Sequence, residues 1–288
     1  MKIAVLGSAT SWYVGDLRRA AGDAHEIVPV TYRHLVSRVD ETGVELWSGA
    51  TELRRFGALL VRSMPPGSLE QVIFRMNALA DLAEAGVQVV NSPRAIEIAV
   101  DKYLTTAKLQ AAGLLVPRTV ACQTWELAME SFAALGGDVV VKPLFGGEGR
   151  GITRVDDEAI AQRVFKTLEQ IGAVIYLQEF IPHEGCDLRV MVIGDQLLGM
   201  RRRHPSDWRT NISLGATAEP LEISDELAQL ALRATDAVGT TIAGVDFLPG
   251  KDGRLYAIEV NAVPGWRALA RTTGVDVGRA VLQHIEQT

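Results

Sequence analysis

Glu259 and Asn261 stand two residues apart in Leu255-Tyr256-Ala257-Ile258-Glu259-Val260-Asn261, and together they could hold a hard cation. Side chains two apart on a strand share one face, so both would point the same way while Ile258 and Val260 enter an apolar layer. Asp246, in Gly244-Val245-Asp246-Phe247, would add a carboxylate from the strand before. Such a cluster suits Mg²⁺ held against nucleotide phosphates, because Mg²⁺ takes few protein carboxylates and completes its shell with phosphate and water. A solvated strand edge running into the Pro264-Gly265 turn would carry the same residues, and the segment alone leaves both readings open.

Lys142 ends an apolar run and leads into Pro143-Leu144-Phe145-Gly146-Gly147-Glu148-Gly149-Arg150-Gly151, with four glycines among its last six residues. Gly147, Gly149 and their neighbours let the backbone approach a ligand and turn N–H groups toward an anion. The spacing is not that of a Walker loop. A plain flexible hairpin has the same composition. Val174–Ile181 reads as a strand whose end, Gln178-Glu179-Phe180-Ile181, could meet an adenine edge and pack on its faces, or be ordinary core. Asp187-Leu188-Arg189 places an acid and a base on one strand face, for a ribose hydroxyl and a phosphate or for a surface ion pair of little worth. The run Arg201-Arg202-Arg203-His204, with Trp208-Arg209-Thr210-Asn211 beyond it, is either a solvated face or a site for phosphate and carboxylate.

The elements that must position these residues fall into three stretches. Residues 1–92 alternate strands (Ile3–Leu6, Glu26–Val30, Ala58–Arg62 and 86–91) with a helix over Leu69–Glu84, whose apolar spacing marks one buried face. That alternation implies a small parallel α/β sheet. Gly7 and Gly15 do not make a dinucleotide fingerprint, which argues against a dehydrogenase. Ser92-Pro93 opens a helix expected to run to Ala112 and stop at Gly113. Residues 93–173 continue with strands at Arg118–Ala121 and Val139–Lys142 and helices at Trp125–Leu135 and Asp157–Ile171. Residues 174–288 hold strands at Val174–Phe180, Leu188–Ile193 and Gln196–Arg201, a helix over Asp225–Val238, and the strands of Asp246 and Glu259.

Composition narrows the classes. The 288 residues carry a formal charge of −6, which gives no general attraction to nucleic acid or anionic membrane. No stretch reaches the roughly 18 apolar residues of a membrane span, and the opening apolar run is too short for a signal peptide. Cys122 and Cys186 are far apart and outside any CxxC pair, consistent with a reducing cytoplasm. The expected protein is soluble and cytoplasmic.

In order, Lys102, Lys142 with its glycine loop, Gln178–Ile181, Asp187-x-Arg189, Asp246 and Glu259-Val260-Asn261 resemble the ATP-grasp superfamily. Within it the chain is similar to the RimK-type α-L-glutamate ligases. The likeness is carried by Val141-Lys142-Pro143-Leu144, Gly185-Cys186-Asp187-Leu188-Arg189, Arg209-Thr210-Asn211 and Glu259-Val260-Asn261-Ala262-Val263-Pro264-Gly265. It implies an α/β and α+β fold: an N-terminal Rossmann-like pre-ATP-grasp domain (1–92), a central lid domain (93–173) and a C-terminal catalytic domain (174–288). Lys102, Lys142, Gly147 and Gly149 would then meet the ATP phosphates, Gln178 through Ile181 adenine, and Asp187 ribose. Asp246, Glu259 and Asn261 would hold two Mg²⁺ ions, with Mn²⁺ able to substitute. Arg189, Arg209 and Asn211 would face phosphate or an acyl phosphate. The segment from Val61 to Met76, with Arg62 and Ser63, resembles the branch that adds glutamate to pterin coenzymes such as tetrahydromethanopterin. Arg62, Ser63, Arg201 and Arg203 are the expected substrate contacts, and homo-oligomerisation is the family expectation.

The activity implied is an ADP-forming ligation of an amino acid, expected to be L-glutamate, to an acceptor carboxylate on a pterin or furan coenzyme. The alternatives are a protein C-terminus or carrier protein as acceptor, or a small-molecule kinase on the same fold. Two departures bear on this. Glu148 stands where many relatives carry glutamine, and Leu214 where many carry arginine, which weakens glutamate as the incoming amino acid.

Overall fold

The computed structural model describes residues 1–41, 43–147 and 149–288; Glu148, and with it the expectation placed on it, lies outside the described residues. The first unit contains β1 (Lys2–Leu6), α1 (Trp12–Ala21), β2 (Glu26–Val30), β3 (Leu35–Asp40), β4 (Gly43–Ser48), β5 (Thr51–Glu52), β6 (Ala58–Val61), α2 (Leu69–Glu84) and β7 (Gln88–Val90). Four strands form a parallel sheet in the order β2-β1-β6-β7, as the alternation implied. Helix α2 starts at a complete capping box, Ser68 with Gln71, which supplies partners for two otherwise free backbone N–H groups. The antiparallel sheet β3-β4-β5 went unforeseen, because only Leu46 and Ser48 of its strands are buried and little apolar alternation marks it.

The chain continues through α3 (Pro93–Val100), α4 (Lys102–Ala111), β8 (Thr119–Cys122), α5 (Trp125–Ala134), β9 (Val139–Lys142), β10 (Thr153–Val155), α6 (Glu158–Gln170) and β11 (Ile175–Glu179). The single helix expected over Pro93–Ala112 is two. Asp101 is extended (φ −90°, ψ 103°) and its side chain accepts from Leu104 N at 3.0 Å, so it ends one helix and caps the next. The break puts Lys102 in the first turn of α4, facing the glycine loop.

The last stretch holds β12 (Cys186–Ile193), β13 (Gln196–Arg203), β14 (Thr217–Leu221), α7 (Asp225–Val238), β15 (Ile242–Pro249), β16 (Leu255–Asn261), α8 (Arg267–Thr273) and α9 (Val277–Gln287). Its antiparallel sheet runs β14-β13-β12-β15-β16. The middle sheet runs β10-β9-β11-β8, so β11, grouped from sequence with the third stretch, pairs within the second. Helices α3 and α4, grouped with the second, pack instead on β16 and α7, where Ile98, Leu109 and Leu114 join Val190, Ala231 and Phe247.

First and third stretches share a core. Ile3, Val14 and Leu17 pack with Trp266, Val281 and Ile285, and α9 lies along α1. Each such fully buried aliphatic side chain contributes roughly 1.5–3 kcal/mol, so this core ties the first sheet to the strands that carry the acidic residues.

Candidate active site

A cavity opens between the middle sheet and the five-stranded sheet. On the middle-sheet side stand Lys142, at the end of β9, with Tyr176 and Gln178 from β11 and then Glu179, Phe180 and Ile181. Facing them are Asp187 from β12, Arg202 from β13, Asp246 from β15 and Glu259 from β16. Lys102, His183, Arg209, Thr210 and Asn211 add to its polar lining, and Leu248, Ile258, Ile152 and Trp208 supply apolar surface.

Strand register explains the five-stranded wall. Asp187 is opposite Arg202, Arg189 opposite Asp246, and Asp246 opposite Glu259. Arg202 donates to Asp187 at 2.7 and 2.5 Å and to Asp246 at 2.9 Å, while Arg189 grips Asp246 with two bonds of 2.6 Å. Thr210 Oγ1 donates to Asp187 at 2.5 Å. Burial alone would push the Asp246 carboxyl up, but Arg189 and Arg202 outweigh it and hold it at about 2. The same carboxylates keep Arg202 charged against its own burial. Both oxygens of Asp187 are therefore engaged before any ribose arrives.

Lys142 is enclosed, and burial pulls its ammonium down to about 8, opposed by Glu259 and helped by Lys102. Its Nζ donates to Gln178 Oε1 at 2.5 Å. Gln178 in turn donates to Thr119 at 3.0 Å and Tyr176 at 3.3 Å, a chain that fixes the lysine's direction. Lys102 Nζ donates to Gly146 O at 2.5 Å, fastening the glycine loop to α4. Gly149 lies at φ +73°, and a Cβ there would come 2.5 Å from Asn211 Oδ1, so a side chain is excluded and the loop backbone abuts Asn211. Gly147 has open space around it.

The Glu179 carboxylate turns away from the cavity to Arg118, accepting at 2.8 and 2.6 Å, which leaves its backbone for any ligand contact. Phe180 is held by the Arg154 guanidinium, 3.7 Å from the ring centroid, and by Trp208 edge-on at 5.8 Å. Arg209 pairs with Asp207 at 2.6 Å at the cavity rim.

The oxygen donors fit a hard divalent cation. Among the described residues the Glu259 carboxylate makes no hydrogen bond, Asp246 retains lone pairs beyond its arginine contacts, and Asn261 Oδ1 accepts only from Val263 N at 2.9 Å. Asn261 pairs in register with Gly244, two residues from Asp246.

Several expected contacts lie elsewhere. Arg201 and Arg203 project from the face of β13 opposite Arg202, where Arg201 meets Glu219 at 3.3 Å and both line a separate groove with Cys186, Leu188 and Lys251. Alternation forbids all three arginines from facing one site, and the sequence offered no register to choose between them. Arg189 does not line the cavity but sits behind Asp246 as its partner. Arg62 and Ser63 are at the end of β6, outside the cavity, with Arg62 Nη2 donating to Pro264 O at 2.7 Å and Ser63 Oγ 3.4 Å from Leu6 O. Leu214, in the short turn Ile212–Leu214, is exposed.

Arg202, Thr210 and Trp208 were read from sequence only as members of their runs, with no role of their own, and Asn91 only as the end of a strand. Asn91 is buried at the end of β7. It donates to Ile242 O and Ala262 O at 2.7 and 2.6 Å and accepts from Thr241 N and Ile242 N at 2.9 and 3.1 Å. It thus pins the start of β15 to the residue after Asn261. A buried amide closing an apolar strand was the only signal available.

A lysine pair and a glycine loop over one sheet, with acids and arginines on the facing sheet, form a cleft of the kind that takes a nucleotide's phosphates. Residues 99–285 match the RimK-like ATP-grasp domain. The chain is 31% identical to the tetrahydromethanopterin:alpha-L-glutamate ligase of Methanosarcina acetivorans over 279 residues, covering 87% of this chain and 86% of that protein. It is 30% identical to the enzyme of the same name from Methanococcus maripaludis over 289 residues, covering 98% and 97%. Among solved structures, the ATP-grasp ligase PsnB complexed with minimal precursor aligns with a TM-score of 0.78 at 25% identity over 99% of this chain and 98% of that one. The same ligase with minimal precursor, Mg and ADP aligns at 0.77, with 24% identity and 99% and 96% coverage. The protein belongs to the RimK-like ATP-grasp family and is an ATP-dependent ligase.

Proposed function

We propose that this ligase joins L-glutamate to a carboxylate of a one-carbon-metabolism coenzyme of the pterin type, through an acyl phosphate. The similarity to two tetrahydromethanopterin:alpha-L-glutamate ligases supports both substrates. The observation that carries the chemistry is the placement of Lys142 and Lys102 in one cavity with Asp246 and Glu259.

An unactivated carboxylate is a poor electrophile. In the first step an acceptor carboxylate oxygen attacks the γ-phosphorus of ATP and ADP leaves, forming the acyl phosphate. In the second the glutamate amine attacks the acyl carbon, losing a proton, and phosphate departs with the carboxylate oxygen. Lys142 and Lys102 neutralise phosphate charge, and Asn211 holds the loop backbone at Gly149 over the phosphates. Adenine rests on the backbone of Glu179–Ile181 between Leu248, Ile258 and Ile152, and Asp187 turns Arg202 toward the transferring group. Asp246, Glu259 and Asn261 would hold Mg²⁺, which supplies charge neutralisation at the phosphates when bound. Arg189 fixes the direction of Asp246. Most of the acceleration then comes from positioning and preorganised charge.

The test is an ADP-release screen of glutamate and other amino acids against pterin, furan and peptide acceptors, read by mass spectrometry. A glutamyl amide on a pterin acceptor is the expected product. Amide formation on peptides alone would reassign the acceptor, and an amide of another amino acid would reassign the amine donor.

A further inference from the structure

Arg62 directly follows β6 and lies beside the carboxyl end of β1, its Cβ 3.5 Å from where a Gly7 Cβ would stand. The chain leaves β1 toward β2 on one side, and β6 lies on the other. The gap between β1 and β6 is therefore the point where strand order reverses, the place at which open parallel sheets receive ligands.

The guanidinium there lies against two adjoining rings, 4.7 Å from the Tyr13 centroid and 4.1 Å from that of Trp266, whose own centroids are 5.0 Å apart. Nη2 is spent on Pro264 O, and Nε is buried without a partner. Among the described residues no carboxylate pairs with it. Asp16, the acid on neighbouring α1, is already bound to Trp266 Nε1 at 2.9 Å and Arg19 at 2.8 Å. Burial lowers the Arg62 guanidinium to about 10 with only Tyr13 opposing. A buried cation lacking a counter-ion is costly, and a group removed by substitution more cheaply than kept is a candidate for ligand binding. With Nη2 engaged and Nε unpartnered, the N–H groups left over match the oxygens of a planar carboxylate.

Arg62 is also close to the chemistry. Pro264 Cβ lies 3.3 Å, and Arg189 Nε 3.6 Å, from the point a Gly244 Cβ would occupy. Pro264 thus adjoins Arg62 through its carbonyl and, through its ring, the Gly244 backbone beside which Arg189 lies.

We propose that Arg62 receives a substrate carboxylate that is not phosphorylated, held in the crevice between β1 and β6 on the far side of Pro264 from Asp246. This rests on the ligase reading above, because a ligase that uses a dicarboxylate must immobilise the carboxylate that does not react. That group belongs either to the amine donor or to the acceptor.

The test is calorimetric titration of the full chain, saturated with MgADP, with L-glutamate and its two monoamides (L-glutamine and L-isoglutamine), and with glutarate and its monoamide. In the wild type, amidating the carboxylate that Arg62 holds weakens binding at least about tenfold, the size of one charge-assisted hydrogen bond. In Arg62→Gln that ratio falls to near one, and Arg62→Lys restores part of it. Loss of the ratio in the glutamate series assigns the carboxylate to the amine donor, and in the glutarate series to the acceptor. An unchanged ratio in Arg62→Gln overturns the proposal, including the case where all ligands weaken by one factor, as a purely structural arginine would cause. Absence of binding by both dicarboxylates to the wild type overturns it equally. Failure of the wild type to bind MgADP would instead strike the ligase reading, which keeps the two apart.

Discussion

Asp246 and Glu259 face each other on β15 and β16, yet two arginines neutralise Asp246 while Glu259 makes no hydrogen bond among the described residues. The two carboxylates thus have different dependencies, one structural as well as chemical and the other chemical alone.

Substitution separates them. Glu259→Gln should cut ADP formation at least about 100-fold, typical for loss of one electrostatic group at a transition state, with melting temperature unchanged. Asp246→Ala should lose activity and also destabilise the fold by about 3–5 kcal/mol, because Arg189 is left an uncompensated, largely buried charge while Arg202 keeps only Asp187. Calorimetric melting beside a coupled ADP assay reads both. Equal thermal effects in the two variants would contradict the geometry.

The enclosed ammonium of Lys142, lowered to about 8, makes nucleotide binding pH-dependent. Below that pH the lysine is charged and attracts phosphate; above it the charge is lost. ATP affinity should therefore fall as pH rises from 7 to 9, and Lys142→Met should bind more weakly throughout and lose the dependence. Titration calorimetry at several pH values checks it.

Asn91→Ala removes partners from the two carbonyls and two N–H groups it serves. At about 1–3 kcal/mol for each group left unsatisfied, partly recovered by water, the cost should reach several kcal/mol. Differential scanning calorimetry would show a melting temperature lower by about 5–10 °C.

Arg202→Met should collapse turnover, since Arg202 joins Asp187 to Asp246. Arg201→Ala, one residue away but on the other face, should leave the KM for ATP within about twofold, as surface substitutions distant from a site usually do. Steady-state kinetics with ATP as the varied substrate distinguishes the faces.

The contrast at Arg201–Arg203 shows what was legible beforehand. A two-residue spacing fixes a shared strand face for Asp187 with Arg189, and for Glu259 with Asn261, without knowledge of partners, yet of the four only Asp187 and Glu259 line the cavity. Which face of β13 met them depends on its register with β12, a non-local pairing absent from any short window. The same limit placed β11 in the wrong sheet, since a buried apolar strand suits either. Asp101 split a continuous helical pattern because its carboxylate satisfies Leu104 N, a local competition that apolar spacing hides. The parallel sheet and the helix α2 were plain from alternation and apolar spacing.

The most direct test of the central claim follows oxygen. With the acceptor carboxylate labelled with oxygen-18, the account predicts one labelled oxygen in the released phosphate, in step with ADP and amide formation. Unlabelled phosphate, or a stable phosphorylated product in place of an amide, would contradict ligation through an acyl phosphate.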